Sequence, residues 1–208
     1  MKIICIGRNY LDHTIELNNK VPKEPLFFLK PQTAIQPKNH PFFIPDFSNH
    51  IEHELEIVIR INKLGKHIEE EFAHRYFNEI GLGIDFTARD IQNECKKNGL
   101  PWEKAKSFDG SAKISSKFID KSKIDIFNID FPLKKNNSIV QKGNSSDMIF
   151  NFNQIISYVS KFCTLKIGDL IYTGTPSGVG KVNAGDILEG YIFNAVSYTH
   201  LTLPTIVG

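Results

Sequence analysis

Two glutamates, Glu54 and Glu56, stand two residues apart in the otherwise apolar, alternating run HELEIVIRI at 53–61. On a strand, positions i and i+2 share a face, so both carboxylates project together, while His53, Leu55, Ile57 and Ile59 take the other side. Carboxylates that close repel each other unless a cation or a proton neutralises them. Asp85 closes a second apolar run, IGLGID at 80–85, just before a helix-like segment, and strand ends are where site side chains often project. Three carboxylates on strands would make a hard oxygen site for Mg²⁺ or Mn²⁺. Two plainer readings stay open beside this one: a solvated acidic strand face for the glutamates and a helix N-cap for Asp85. Spacing alone does not carry Asp85 to the glutamates.

Other residues could supply acid–base and anion chemistry. His13 and Glu16 are three apart in a segment of helical spacing, hence on one face. A carboxylate beside an imidazole fixes its tautomer and raises its basicity, as a general base requires; a surface helix pair is the ordinary alternative. Lys106 lies in WEKAKSF at 102–108, where an amine among apolar residues could stabilise a developing enolate, or simply be a solvated loop lysine. Thr175 belongs to the tight turn Thr173-Gly174-Thr175-Pro176, able to offer hydroxyls and N–H groups to a carboxylate or to act only as a hairpin turn.

These residues must be held by short elements. Strands are expected at 2–6, 26–29, 53–61 and 80–85, with further short strands within 117–135, 138–142, 169–174 and 186–193. Helices are expected at 9–18, at 68–78, at 87–98 with Thr87 as cap, and at 149–163. Prolines at 31, 37, 41 and 45 make the intervening stretch extended. The pattern is a β-rich α+β domain.

The 208 residues are 41% hydrophobic, ample for one sizeable core, and the net charge of +2 gives no pull toward nucleic acid or an acidic membrane. No apolar run is long enough to span a membrane. Three scattered cysteines and a short N-terminal apolar run fit a reducing cytoplasm. The stretch 174–182 fails as a phosphate loop because its glycine spacing is one residue too long and Val182 stands where a hydroxyl is needed. Gly81 and Gly83 lack the third glycine of a dinucleotide fingerprint, and neither zinc spacing nor a nucleophile elbow occurs.

Seven strings in order, GRNYLDHTIEL (7–17), EPLFFLKP (24–31), HELEIVI (53–59), GIDFTARDIQ (83–92), PWEKAKSFDG (101–110), SSDMIFN (145–151) and GDLIYTGTPSGVG (168–180), resemble the fumarylacetoacetate hydrolase superfamily, most closely its small acylpyruvase and oxaloacetate-decarboxylase branch. The resemblance covers nearly all of 1–193 and implies a mixed β-sandwich or roll with a few short helices, usually a homodimer. It implies metal ligation by Glu54, Glu56 and Asp85, a water-activating His13–Glu16 dyad on a lid, and Lys106 against the bound oxo acid. Arg89, Gln92 and Thr175 are implied to line the substrate site; Lys30 matches a family position with no assigned role. The resemblance fades after about Phe193. Residues 194–208 (NAVSYTHLTLPTIVG) read as a non-native tail, such as an adapter or cloning scar, and are set outside the fold.

The implied chemistry is Mg²⁺- or Mn²⁺-dependent cleavage of C–C bonds in small 2-oxo or diketo acids through a metal-bound enolate. Acylpyruvate hydrolysis is favoured by the His13–Glu16 pair, and oxaloacetate decarboxylation is open to the same site. Two alternatives compete: isomerisation or decarboxylation of 2-hydroxy-dienedioates, which a more basic pocket for a second carboxylate would favour, and a non-catalytic chain.

Overall fold

The alternating apolar runs form three sheets in the computed structural model of the protein, which describes residues 1–17, 19–38, 40–192 and 200–207. The strands are β1 (Ile3–Gly7), β2 (Leu26–Lys30), β3 (Phe42–Ile44), β4 (Ile51–His53), β5 (Leu55–Ile61), β6 (Phe77–Asp85), β7 (Thr87–Ala88), β8 (Ala112–Ile114), β9 (Ile119–Asp120), β10 (Asp130–Lys135), β11 (Ser138–Asn144), β12 (Leu170–Tyr172), β13 (Gly180–Lys181), β14 (Ile187–Tyr191) and β15 (His200–Val207). The helices are α1 (Leu11–Glu16), α2 (Glu70–Ala73), α3 (Arg89–Asn98), α4 (Glu103–Lys106) and α5 (Phe152–Phe162). A seven-stranded sheet runs β2-β1-β12-β5-β6-β8, with β9 also paired to β6; a five-stranded sheet runs β11-β10-β14-β15-β3; and β13-β4-β7 form a third. The β1–β12 and β15–β3 pairs are parallel, so the architecture is a mixed, strand-rich α+β fold.

The seven-stranded sheet is apolar on both faces, which is why its strands read as nearly continuous hydrophobic runs. Ile4, Ile6, Leu55, Ile57, Ile59, Leu82 and Ile84 enter the larger core with Phe131, Leu133 and Leu188 of the five-stranded sheet. Ile3, Cys5, Val58, Leu170 and Tyr172 fill a smaller core on the opposite face with Ala34 and Ala112. Alternation puts Glu56 on the Val58 side.

Several expectations shift by local physics. The run 53–61 divides at Glu54 into β4 and β5, which join different sheets. Within 68–78, only Glu70–Ala73 is α-helical, and a 3-10 turn at His74–Tyr76 feeds β6. Thr87 does not cap α3: it lies on β7, and Ala88 takes the cap position without a side-chain bond. The helix expected at 149–163 forms as α5, closed by a capping box between Asn151 and Gln154. Of the residues set outside the fold, 200–207 form β15, which pairs antiparallel with β14 and parallel with β3. A Thr-, Leu- and Ile-rich segment suits a strand whatever its style, and this one fills the place between β14 and β3. Residues 193–199 and 208 lie outside the described part. No helix among the described residues is long and apolar enough to cross a membrane.

Gly83 on β6 faces the smaller core, where an added Cβ would meet the Tyr172 ring at 2.4 Å and Val58 Cγ2 at 2.8 Å. The ring cannot swing away freely, because its hydroxyl donates to Lys113 O at 2.7 Å. Gly83→Ala is expected to destabilise the protein by about 1–3 kcal/mol through overpacking, read as a lowered urea midpoint; an unchanged midpoint would contradict this packing.

Candidate active site

Strand register brings the three carboxylates together. β5 and β6 pair antiparallel with Leu55 opposite Ile84 and Glu56 opposite Gly83. One step further, Asp85 N–H donates to Glu54 O at 2.9 Å, so Asp85 stands opposite Glu54. Directly opposed residues share a face, and the missing side chain at Gly83, opposite Glu56, makes room for the Tyr172 ring. One oxygen each from Glu54, Glu56 and Asp85 lies within 4.8 Å of the others. Glu54 is 5% exposed and Glu56 and Asp85 are 1% exposed, so neither the solvated acidic face nor the plain cap describes them.

Buried cations hold this cluster. Lys106 Nζ donates to Glu54 Oε2 at 2.8 Å, Asp85 Oδ2 at 2.9 Å and Thr87 Oγ1 at 2.6 Å. Arg89 reaches Glu54 Oε1 through Nη2 at 2.5 Å, Glu52 Oε2 through Nε at 2.6 Å and Gln92 Oε1 through Nη1 at 2.5 Å. Lys30 Nζ lies 2.8 Å from Asp85 Oδ1, an ion pair without hydrogen-bond geometry, and its three N–H groups have Ser111 Oγ, Ser111 O and Lys106 O as acceptors. Asp85 Oδ1 is thus a buried oxygen with a charge nearby and no proton aimed at it.

The charges are divided unevenly. Burial works against ionised Glu54, but Lys106 and Arg89 outweigh it and hold the carboxyl well below its usual range. Glu56 goes the other way: burial, then Asp85 and Glu54, push it well above that range, and the Gly174 N–H at 2.6 Å only partly relieves it. Burial presses Lys106 down, yet Asp85 and Glu54 win and raise it. A cluster in which Glu56 has no ion-pair partner among the described residues, Asp85 keeps an oxygen without a hydrogen bond and all donors are oxygens fits a hard divalent cation.

His13, paired with Glu16, lines the same pocket. His13 Nδ1 meets Glu16 Oε2 at 3.1 Å, and the Glu16 carboxylate accepts the Gly178 N–H at 3.0 Å. With Nδ1–H given to Glu16, Nε2 is the basic nitrogen. Burial lowers the His13 pKa below 6.5, opposed by Glu54 and the Glu16 bond. The segment is rooted by Asn9, whose side chain donates to Thr173 O and Phe150 O and accepts from Phe150 N. Gly174, at φ 100°, must be glycine: a Cβ there would lie 2.7 Å from Asn9 Cβ.

His13, Glu54, Glu56, Asp85, Arg89, Gln92, Lys106 and Thr175 all line one pocket; Glu16 stands behind His13. Thr175 Oγ1 donates to Leu55 O at 2.7 Å and accepts from Gln141 Nε2 at 2.9 Å, so its proton is already engaged. Three supports were missed or left without a role. Glu52 anchors Arg89, and its signal was the continued i, i+2 spacing of Glu52, Glu54 and Glu56. Lys30 neutralises Asp85, and Gln141 ties His53 and Leu55 to the Thr175 turn; neither carried a local signal.

The family model described as fumarylacetoacetate (FAA) hydrolase C-terminal matches residues 2–202. The chain is 46% identical over 198 residues to human "Oxaloacetate tautomerase FAHD1, mitochondrial", covering 95% of this chain and 89% of that protein. It is 43% identical over 190 residues to the mitochondrial oxaloacetate decarboxylase of Dictyostelium discoideum, covering 90% and 87%. Among solved structures, fumarylpyruvate hydrolase from Pseudomonas aeruginosa in complex with Mn²⁺ and pyruvate superposes with a TM-score of 0.92 at 30% identity, covering 100% of this chain and 90% of that one.

The uneven charge gives a stability prediction. A carboxyl whose pKa is raised by folding loses stability as pH climbs from its unfolded-chain value through the raised one, because the folded chain must keep a proton that the unfolded chain releases. Glu56→Gln is neutral in both folded and unfolded chains and keeps an acceptor for Gly174. In EDTA at neutral pH it is expected to raise the thermal midpoint, by about 2–4 °C for each kcal/mol relieved. A lowered midpoint would contradict the charge distribution above.

Proposed function

The chain belongs to the fumarylacetoacetate hydrolase family, and from that premise we propose that it acts on small 2-oxo acids at the carbon next to the oxo group. Oxaloacetate ranks first as substrate because relatives at 43–46% identity carry its name, and acylpyruvate-type acids rank second. The observation that carries this reading is a buried carboxylate trio and a neutral-imidazole dyad facing one pocket.

Glu54, Glu56 and Asp85 would hold Mg²⁺ or Mn²⁺, which when bound supplies Lewis-acid polarisation of the substrate oxo group. Lys106 Nζ adds fixed positive charge where the enolate oxygen develops. Arg89 and Lys30 keep Glu54 and Asp85 in place, so these groups need not reorganise during reaction. His13 Nε2 takes a proton, from water when an acyl group is to be cleaved or from C3 of oxaloacetate when keto and enol forms exchange. Glu16 stabilises the imidazolium that results. Loss of CO₂ from oxaloacetate yields the same enolate with no proton abstraction. A homodimer belongs to this proposal, and the free cysteines support a reducing compartment such as the cytoplasm.

Acetylpyruvate cleavage and oxaloacetate turnover should require added Mg²⁺ or Mn²⁺ and vanish in EDTA or with Glu54→Ala. Activity surviving both treatments would sink the reading. His13→Ala is expected to slow acetylpyruvate cleavage by roughly 10²–10⁴-fold and decarboxylation far less; equal losses would remove the dyad's role. Since burial lowers the His13 pKa, the base stays unprotonated at pH 6.5, and cleavage should fall only as pH drops through a value below 6.5.

A further inference from the structure

Four cationic residues line the pocket, Arg8, Arg89, Lys96 and Lys106, and two of them are already spent. Arg89 is bound by Glu52, Glu54 and Gln92, and Lys106 by Glu54, Asp85 and Thr87. The side chains of Arg8 and Lys96 form no ion pair and no hydrogen bond among the described residues. Both are half-buried, whereas Lys106 and the carboxylates are buried, so they mark the mouth of the pocket and the others its floor.

An aromatic wall separates the two ends. Phe28 and Trp102 meet edge to face with ring centroids 5.9 Å apart. Lys106 Nζ lies 5.4 Å from the Phe28 ring and Lys96 Nζ 5.7 Å from the Trp102 ring, one cation at each end of the pair. Arg8 follows Gly7 at the end of β1 with φ 58°, a left-handed backbone uncommon for a side-chain-bearing residue, and it too faces this pocket. Burial, then Arg89 and Arg8, press the Lys96 pKa down to about 8; Glu54 opposes and Lys106 adds to the lowering. At the mouth, then, neither cation has an ion-pair partner among the described residues.

We propose that Arg8 and Lys96 form a subsite for the second carboxylate of a 2-oxo dicarboxylic acid, the end remote from the oxo group. This rests on the 2-oxo acid reading above and narrows it to dicarboxylates. Two cations that converge on one carboxylate give charge-assisted hydrogen bonds, the strongest kind available to a small ligand. A monocarboxylic acyl chain would leave both unpaired, which selects against it.

The test compares kcat/KM for oxaloacetate with kcat/KM for acetylpyruvate in wild type, Arg8→Asn (a residue that tolerates the left-handed backbone), Lys96→Gln and the double variant. The ratio of oxaloacetate to acetylpyruvate should fall about tenfold for each cation removed. Lys97→Gln, an exposed neighbour on the same helix that does not line the pocket, should leave the ratio unchanged. In parallel, calorimetry with Mg²⁺ compares binding of 2-oxoglutarate and 2-oxobutyrate, which needs no turnover. Wild type should favour the dicarboxylate and Lys96→Gln should lose that preference. A ratio and a preference that survive the substitutions would overturn the subsite, as would parallel losses on both substrates. If wild type turned over neither substrate, the 2-oxo acid reading would fail, and the calorimetric preference would still decide the subsite.

Discussion

Three carboxylates buried within 4.8 Å of one another are the constraint on which the rest depends. Each would be costly to ionise alone in a dry interior, and each makes its neighbours harder to ionise. The protein meets this with an asymmetric answer. Lys106 and Arg89 are concentrated on Glu54, Lys30 is set beside Asp85, and Glu56 is left with a single backbone N–H and no cation within ion-pair distance among the described residues. Full neutralisation by side chains would leave nothing for a ligand to do. A pocket left incompletely paired in this way would gain free energy if a further cation entered, and that gain would stabilise the fold.

The scaffold serves this cluster through register rather than through any one loop. The β5–β6 ladder sets Asp85 opposite Glu54, and the absence of a side chain at Gly83 lets the Tyr172 ring pack on the shared face. The turn after β12 delivers the Gly174 N–H to Glu56, and the same turn fixes Asn9 at the root of the His13 segment. The base and the carboxylates are thus coupled through a few main-chain groups. Gln141 from the five-stranded sheet ties His53 and Leu55 to Thr175 across the gap between sheets. Precision comes from strands and their pairing, the most rigid parts available.

What could be read without the structure follows from how local each signal is. The alternation of 53–61 and the apolar run of 80–85 announced β5 and β6, and the i, i+2 spacing announced that Glu54 and Glu56 share a face. The meeting with Asp85 is set by pairing register, which no single run encodes; it came only from resemblance to a family. The break of the strand at Glu54 was hidden because β4 and β5 share one pattern while belonging to two sheets. Thr87 looked like a cap, yet its hydroxyl accepts from Lys106, a partner nineteen residues on. Lys30 gave no hint of its place beside Asp85, fifty-five residues further along the chain. The segment 200–207, foreign in style, still pairs as a strand between β14 and β3 because its composition is β-forming.

The account stands or falls on whether the trio takes up a divalent cation. Calorimetric titration of the EDTA-treated protein with Mn²⁺ asks this without reference to any substrate. One ion per chain is expected, with affinity reduced at least tenfold by Asp85→Asn, which keeps the side-chain size and removes the charge. An absence of binding by the wild-type chain, or binding that Asp85→Asn leaves untouched, would contradict it.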